Sequence, residues 1–426
     1  MSSTITMREG KFKLKTFELT TPIDSKTIKL APYCSRADIY ESVLEPTVIA
    51  EFIIVDKIGI FNHFNFLEQH INIDFTTYED NKNANIKYAL YPISVDPAET
   101  LPDDKGIVYK ITCVSREAIK STQIKNIPLV RKKTESETII NALLQLVETD
   151  KNYFFEKTQG LQACNFTELT PFEAIDQIRL KSMSSKYNGH CFLFYENSKG
   201  FHFKTFESLI DDGKKKIGDK YFTQIALADI SVTGSRWRNI LGLKVIQTGN
   251  QNVTRLLGAG NVLIKRKNTI TGEISPYTID SSKIQFMTLN KGSVSQNTIT
   301  KNELSKDEGR IELVYYDPTV ETVEQAEAKS LRPYYLAFLF NTVAHITVYG
   351  DSTITIGDVI TCDIPQHTAL TLGEKRPFVP SNEVLAGNYL ITKCRHILSF
   401  NEGAEYMQAL EIIKDGYGGE MPRPTN

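Results

Sequence analysis

The side chains able to do chemistry in this chain are thinly spread. Its histidines are His63, His70, His190, His202, His345, His367 and His396; its cysteines are Cys34, Cys113, Cys164, Cys191, Cys362 and Cys394. A zinc centre gathers thiolates and imidazoles, which sequences signal by paired spacings such as CxxC. No such pair is read here. His345 and His396 lie in strand-like runs and could approach each other, with Asp351 as a third ligand. Packed or solvent-facing histidines are the expectation instead, so no metal and no cofactor is assigned. Cys113 and Cys394 also sit in strand-like runs, where a buried thiol behaves as a small hydrophobe. His190 and His202 flank an aromatic hairpin and read as a packing edge rather than an acid–base pair.

Catalytic signatures are absent from the sequence. There is no GxSxG, HExxH, Walker loop or GxGxxG. Gly258-Ala259-Gly260 comes nearest, but Leu263 stands where the third glycine belongs. The acidic pairs Asp103-Asp104 and Asp211-Asp212 fall in polar stretches. A glycosidase needs two carboxylates set on defined elements to flank the scissile bond. A cell-wall hydrolase using Glu207 or Asp211 is therefore set aside, no catalytic residue is assigned, and the chain is expected not to be an enzyme. Arg236-Trp237-Arg238 holds the only tryptophan. Trp and Arg are enriched at interface hot spots, so the triplet is the candidate interface; the alternative is a Trp covering the core with its arginines in solvent. Lys214-Lys215-Lys216 and Arg131-Lys132-Lys133 read as solvated links, since no stacking platform adjoins them.

Composition narrows the class. Lys+Arg is 49 against Asp+Glu 51, a formal charge of -2, with 41% hydrophobic and 10% aromatic residues. This is globular composition without the basic footprint of a duplex-binding protein. Val48–Ile60 and Tyr334–Val348 are the most apolar stretches. Charged residues or His345 interrupt both, and neither reaches the ~20 apolar residues of a membrane span. Met1–Lys15 lacks the apolar core of a signal peptide.

The elements that must position these residues change period along the chain. Residues 1–117 read as short β-strands: Lys11–Leu19 alternates, Thr47–Val55 is β-branched, and Ile71–Phe75, Tyr88–Val95 and Val108–Val114 follow. Residues 118–220 switch to helical spacing. Thr134-Glu135-Ser136-Glu137 has capping-box spacing ahead of Ile139, Ile140, Leu143, Leu144 and Val147. Thr170-Pro171-Phe172-Glu173 starts a second helix, with Ile175, Ile178 and Leu180 as its stripe. The hairpin Cys191–Tyr195 and Phe201–Phe206 follows, and Asp211–Lys220 reads as a surface link. Residues 221–414 return to β, with Leu241–Thr248 and Gly260–Lys265 as strands and 290–309 as an exposed loop. A helix covers Val320–Ser330, and Pro333 either kinks it or opens another. His345–Val348, Thr353–Ile356 and Val359–Ile364 read as a meander, then Asn388–Phe400 pairs with Glu405–Lys414. Residues 415–426 read as a flexible tail. Tyr109-Lys110-Ile111-Thr112 echoes Tyr389-Leu390-Ile391-Thr392 at three positions, which would fit a duplicated barrel around the inserted α+β unit.

This order of elements resembles the central baseplate hub subunit of T4-like contractile phage tails. Three stretches carry the resemblance: Ser42-Val43-Leu44-Glu45-Pro46 leading into Ile49–Ile60; Leu169–Ile175 with the hairpin ending Lys199-Gly200-Phe201-His202-Phe203; and Gly350–Ile360 followed by Gly387–His396. The resemblance implies a mainly β chain with an α+β insertion, in which two tail-tube-type β-barrels are joined by a small helix/hairpin domain. It implies a homotrimer whose pseudo-sixfold face meets the tail tube protein and whose other face seats the central spike protein, with baseplate wedge proteins around it. DNA would pass through the channel without specific binding and no membrane would be involved. The implied place is the virion's tail baseplate, assembled in the host cytoplasm. The fold is shared with the base of type VI secretion spikes, so the base of a contractile secretion or bacteriocin apparatus is the alternative. A carbohydrate-binding β protein is a third, and it would need Tyr195 and Phe201 exposed.

Overall fold

A computed structural model describes residues 10–21, 27–59, 69–78, 84–100, 106–125, 127, 130–217, 220–223, 238–247, 262–279, 287–290, 310–316, 322–365, 382, 384–401 and 403–415. The first section is β1 (Lys13–Thr20), β2 (Thr27–Lys29), β3 (Cys34–Ser42), β4 (Ile49–Asp56), β5 (His70–Thr76), β6 (Ile86–Thr100) and β7 (Ile107–Ser115). The middle section is α1 (Arg116–Gln123), β8 (Val130–Thr134), α2 (Ser136–Leu146), β9 (Tyr153–Phe155), β10 (Thr158–Gln159), β11 (Gln162–Cys164), α3 (Pro171–Lys181), β12 (Met183–Ser184), β13 (Phe192–Asn197), β14 (Gly200–Thr205) and α4 (Phe206–Lys215). The last is β15 (Tyr221–Thr223), β16 (Ile240–Gln247), β17 (Val262–Asn268), β18 (Ile274–Ile279), β19 (Arg310–Tyr316), α5 (Val323–Leu339), β20 (Thr342–Tyr349), β21 (Val359–Asp363), β22 (Gly387–Ser399) and β23 (Glu405–Lys414). The chain is mainly β with an α+β insertion.

One 13-stranded sheet runs through both β sections in the order β16-β20-β23-β22-β3-β4-β7-β6-β5-β1-β2, with β21 on β22 and β15 on β21. The sections fuse where β22 pairs antiparallel with β3, from Lys393↔Ser42 to Ser399↔Arg36. Among the described residues neither half closes into a barrel on its own. Each has its own apolar core. Phe17, Ile39, Phe52, Ile73, Phe75 and Cys113 belong to the first, with Leu398 and Tyr406 reaching in from the far section. Ile346, Val359, Tyr389, Leu390, Leu410 and Ile412 belong to the second, with α4 and β13 packed on it through Leu209, Ile210 and Tyr195. In the middle section, α2 and α3 cover the β13–β14 hairpin around Ile140, Ile175, Phe201 and Phe203.

The two halves of the large sheet have the same topology. Take β3, β4, β5, β6 and β7 as strands one to five of the first half, and β16, β20, β21, β22 and β23 as one to five of the second. Each half is then ordered one-two-five-four-three, and every neighbouring pair is antiparallel. Strand one is bulged near its start in both, at Cys34/Arg36 and at Ile240/Gly242. The four–five pairing is bulged in both as well, at Pro92/Ser94 and at Ile391/Lys393. A bulge inserts a residue and bends the strand, so the halves share these two bends as well as strand order; β16 adds a second bulge at Val245/Gln247 and β6 one at Pro97/Glu99. The Tyr109–Thr112 echo is not the trace of this duplication. It lies on strand five of one half, whereas Tyr389–Thr392 lies on strand four of the other.

Several local expectations need correction. Asp211–Lys220 is not simply a link, because α4 runs to Lys215. Thr205 caps that helix, its Oγ1 accepting from Ser208 N at 3.1 Å, and Phe206, Leu209 and Ile210 bury its inner face. Gly213 is not a turn glycine; a Cβ there would stand 2.4 Å from Val359 Cγ2, so it admits close helix–strand packing. Thr353–Ile356 forms turns rather than a strand, since Asp351 Oδ1 accepts from Thr353 N and Oγ1. α5 passes through Pro333 unbroken. Thr134 closes β8 instead of capping α2, and Glu137 accepts from Thr158 N at 2.6 Å. The capping box of α3 forms as the spacing predicts, between Thr170 and Glu173, while Leu180 is exposed. Asp415 is buried and accepts from Asn290 Nδ2 at 3.2 Å; 416–426 and 291–309 lie outside the described residues.

Candidate functional site

Strand alternation puts one set of side chains from both halves on the face of the sheet away from the two cores. Across the β22–β3 seam that face forms a groove of about 690 Å³, lined by Tyr40, Lys244, His345, Lys393, Arg395 and Glu411 among others. Its charges are interleaved. Asp38 lies 2.9 Å from Arg36 Nε and 3.1 Å from Arg395 Nη2. The Arg395 guanidinium sits 5.2 Å over the Tyr40 ring, and the Tyr40 hydroxyl donates to Glu51 Oε2 at 3.2 Å. Lys110 Nζ meets Glu51 at 2.5 Å. Glu411 takes Lys393 at 2.9 Å, His345 at 3.4 Å and the Thr392 hydroxyl at 2.8 Å. The Lys110 ammonium holds the Glu51 carboxyl below the usual range. At Glu411, burial acts upward, and Lys393 and Thr392 outweigh it. Such a face offers no unbroken basic stripe on which phosphate could settle.

On the core side of the same seam lies a polar cluster. Cys394 and His396 are two residues apart on β22 and so point the same way, and Glu41 on β3 is the registered partner of Cys394. Cys394 Sγ is 3.5 Å from His396 Nε2, which is 3.6 Å from Glu41 Oε2. Among the described residues this is the group of His, Cys and acid atoms close enough to hold an ion. Its atoms are already engaged. Glu41 accepts from the hydroxyls of Tyr88 and Thr355, the latter at 2.9 Å. His396 Nδ1 shares a hydrogen bond with Tyr406 at 2.7 Å, and Gln408 Nε2 lies 3.7 Å from Cys394 Sγ. A satisfied polar network fixes geometry in a low-dielectric interior; here it bolts the two halves together. The sequence signal was there, in the i, i+2 spacing of Cys394 and His396 on one strand. Its partner Glu41 lies more than 350 positions away and no local pattern points to it.

The other sequence candidates are dispersed. His345 and His396 face opposite sides of the sheet, and Asp351 joins neither. Asp351 Oδ2 instead lies 3.1 Å from Arg238 Nη2, and the Arg238 guanidinium is 5.1 Å over the Phe222 ring. Arg236 and Trp237, like Gly258-Ala259-Gly260, His63 and His367, lie outside the described residues. His190 Nδ1 accepts from Ser184 N at 3.1 Å, while His202 stacks on Tyr195 at 4.8 Å. Glu207 is buried, accepting from Gly189 N at 2.7 Å and Met287 N at 3.0 Å, and burial pushes its carboxyl up to about 7. Asp211, one turn on, is ion-paired to Lys186 and Lys215 at 2.7 and 3.0 Å. The two carboxylates, one turn apart on α4, act as clamps, Glu207 on two backbone amides and Asp211 on two lysines, not as a pair facing across a cleft. Tyr195 and Phe201 are buried, which removes the sugar-stacking platform that a carbohydrate-binding role requires.

No protein-family model and no curated protein matches the chain. Solved structures do. The tail protein from Neisseria meningitidis MC58 superimposes with a TM-score of 0.54 at 10% identity, over 95% of this chain and 97% of that one. The 43 kDa tail protein of prophage MuSo2 from Shewanella oneidensis gives 0.54 at 10% identity, over 94% and 98%. Prophage tail protein gp18 from Listeria monocytogenes EGD-e gives 0.50 at 11% identity, over 93% and 94%. The chain has the fold of these phage tail proteins.

Proposed function

We propose that this chain is a structural protein of a contractile phage tail, forming a homotrimeric baseplate hub that adapts the hexameric tail tube to the trimeric central spike. The observation that carries the reading is the repeated five-strand unit. One chain holds two copies side by side in one sheet, so three chains offer six equivalent units toward a sixfold partner and repeat as whole chains three times toward a threefold one. On this reading residues 1–117 and 221–414 are the tube-like modules and 118–220 the joining domain. The tail tube protein, the central spike protein and baseplate wedge proteins are its neighbours, and the virion tail is its place, after assembly in the host cytoplasm. The interleaved charges beside the seam suit a channel wall along which DNA slides without binding. The role is architectural, with no catalysis.

Native mass spectrometry and cryo-electron microscopy of the purified chain test this. The expected result is a trimer whose ring has near-sixfold symmetry on one face. A chain that stays monomeric at all concentrations, and binds neither a tube nor a spike protein, overturns it. A base for a contractile secretion or bacteriocin spike would share the ring; capsid and terminase genes beside the coding sequence distinguish the phage.

A further inference from the structure

The internal seam is a template for the contact between copies. In the second half, strand four is β22. Its first residues pair with strand three, from Val359↔Leu390 to Cys362↔Gly387. The remainder of that same edge, Lys393–Ser399, pairs with strand one of the first half, β3. In the first half, strand four is β6. Its first residues likewise pair with strand three, from Ile71↔Leu90 to Phe75↔Ile86. The remainder of that edge, from Pro92 to Thr100, has no strand partner among the described residues. The other strand one, β16, pairs with β20 and, among the described residues, has no strand along its outer edge beyond the bridge at Asn239. Each chain therefore carries one half of the seam at β6 and the other half at β16. Unpaired edges are templates for a further strand.

The bulges fix the register of the equivalence. Past the strand-one bulges Ile53 matches Thr347, and on strand five their partners Lys110 and Ala409 then match, as do Thr112 and Glu411. Counting past the bulges, Lys393 and Ser94 correspond, and Arg395 and Asp96. On strand one, Arg36 corresponds to Gly242 and Asp38 to Lys244. Inside the chain, Arg395 and Asp38 close an ion pair across the seam at 3.1 Å. Their equivalents, Asp96 and Lys244, carry the opposite signs. Both are exposed, and the cross-strand neighbour of Asp96, Lys110, is already held by Glu51. Beside them Ile93, Leu241 and Ile246 are exposed apolar side chains on the two edges.

We infer that β16 of one copy adds antiparallel to the Pro92–Thr100 edge of β6 in the next, and that Asp96 and Lys244 make between copies the ion pair that Arg395 and Asp38 make within one. The occupant of each edge is a second copy of this chain. The inference rests on the trimeric hub reading and gives it its joint.

The test uses the full chain. A zero-length carbodiimide should join the Asp96 carboxylate to the Lys244 amine, and peptide mass spectrometry should recover that link from the trimer band alone. Asp96→Lys should abolish the trimer on sizing, Lys244→Asp should do the same, and the double exchange should restore it. Circular dichroism of each variant checks that the fold survives, as exposed positions predict. A trimer indifferent to both single changes, and yielding no such link, overturns this joint while leaving the hub reading standing. A wild-type chain that never associates overturns the hub reading itself.

Discussion

Gly350 lies directly beneath the ring of Tyr406: a Cβ on the glycine would stand 2.1 Å from Tyr406 Cδ1, and the Gly350 N–H donates to the Tyr406 carbonyl at 2.9 Å. Tyr406 in turn packs edge-on to Phe75 at 5.2 Å and along His396 at 6.0 Å, so its ring cannot retreat. Gly350→Ala should therefore destabilise the chain by about 2 kcal/mol, the range for overpacking a filled core. Urea unfolding followed by tyrosine fluorescence measures it; an unchanged midpoint would refute the packing argument.

Lys151 holds two buried carboxylates. Its Nζ lies 2.6 Å from Glu117 Oε2 and 2.6 Å from Glu196 Oε1, and both acids are almost wholly buried. Lys151→Met keeps the stem and deletes the charge, leaving like charges facing each other without water. The expected loss is on the order of 3–5 kcal/mol, and Glu196→Gln in the same chain should recover part of it. Equal stability of Lys151→Met and wild type would show the triad to be idle.

His202 and His190 make stability fall in acid. Burial, then Lys204 and Lys199, push the His202 ring down to about 3; burial and Arg332 push His190 down to about 4. An unfolded histidine titrates near 6.5. The folded values are depressed, so below pH 6.5 the unfolded chain binds protons that the folded chain refuses. Their stabilising share is full above pH 6.5 and is lost as pH falls toward 3, by at most ~1.4 kcal/mol per pH unit for each ring. His202→Gln should flatten the lower part of that slope in thermal melts run from pH 7 to pH 4. A slope identical to wild type would show that His202 does not contribute.

The charge pattern of the open face has its own readout. Glu51→Gln with Glu411→Gln frees Lys110 and Lys393 from their partners while leaving the core untouched. Duplex DNA should bind the variant roughly tenfold more tightly than wild type at low salt, with a salt dependence steeper by nearly two counterions. Fluorescence anisotropy across a salt series decides it. Equal binding by the two proteins would mean that interleaved acids do not keep phosphate off this wall.

Much of the local structure was legible in the residues, because it rests on short-range rules. The alternation of Phe17 and Leu19 gives β1, and Thr170, Pro171 and Glu173 give the start of α3. Helix α4 was hidden because Asp211, Asp212 and Gly213 read as turn residues; the apolar triplet that buries it, Phe206, Leu209 and Ile210, begins at the end of a strand. The duplication is expected from the resemblance, but the residues do not show its trace, for a different reason. What the halves share is strand order and bulge position, which backbone pairing sets, while corresponding side chains diverge as far as Asp38 and Lys244 or Arg395 and Asp96. The cluster of Glu41, Cys394 and His396 was illegible in the same way, since only the seam brings β3 beside β22.

The two edges unpaired among the described residues are unlike, and in the proposed ring that difference sets how growth ends. Adding a copy consumes one β6 edge and one β16 edge and exposes one of each again, so no intermediate is ever satisfied. Only the bend of the sheet can bring the last edge back to the first. A change that straightened the sheet at either pair of matched bulges would shift the register beyond them and open the circle into a helical fibre. Arg36, Gly242, Ser94 and Lys393, the residues just past those bulges, are where the proposed ring would set its number of subunits.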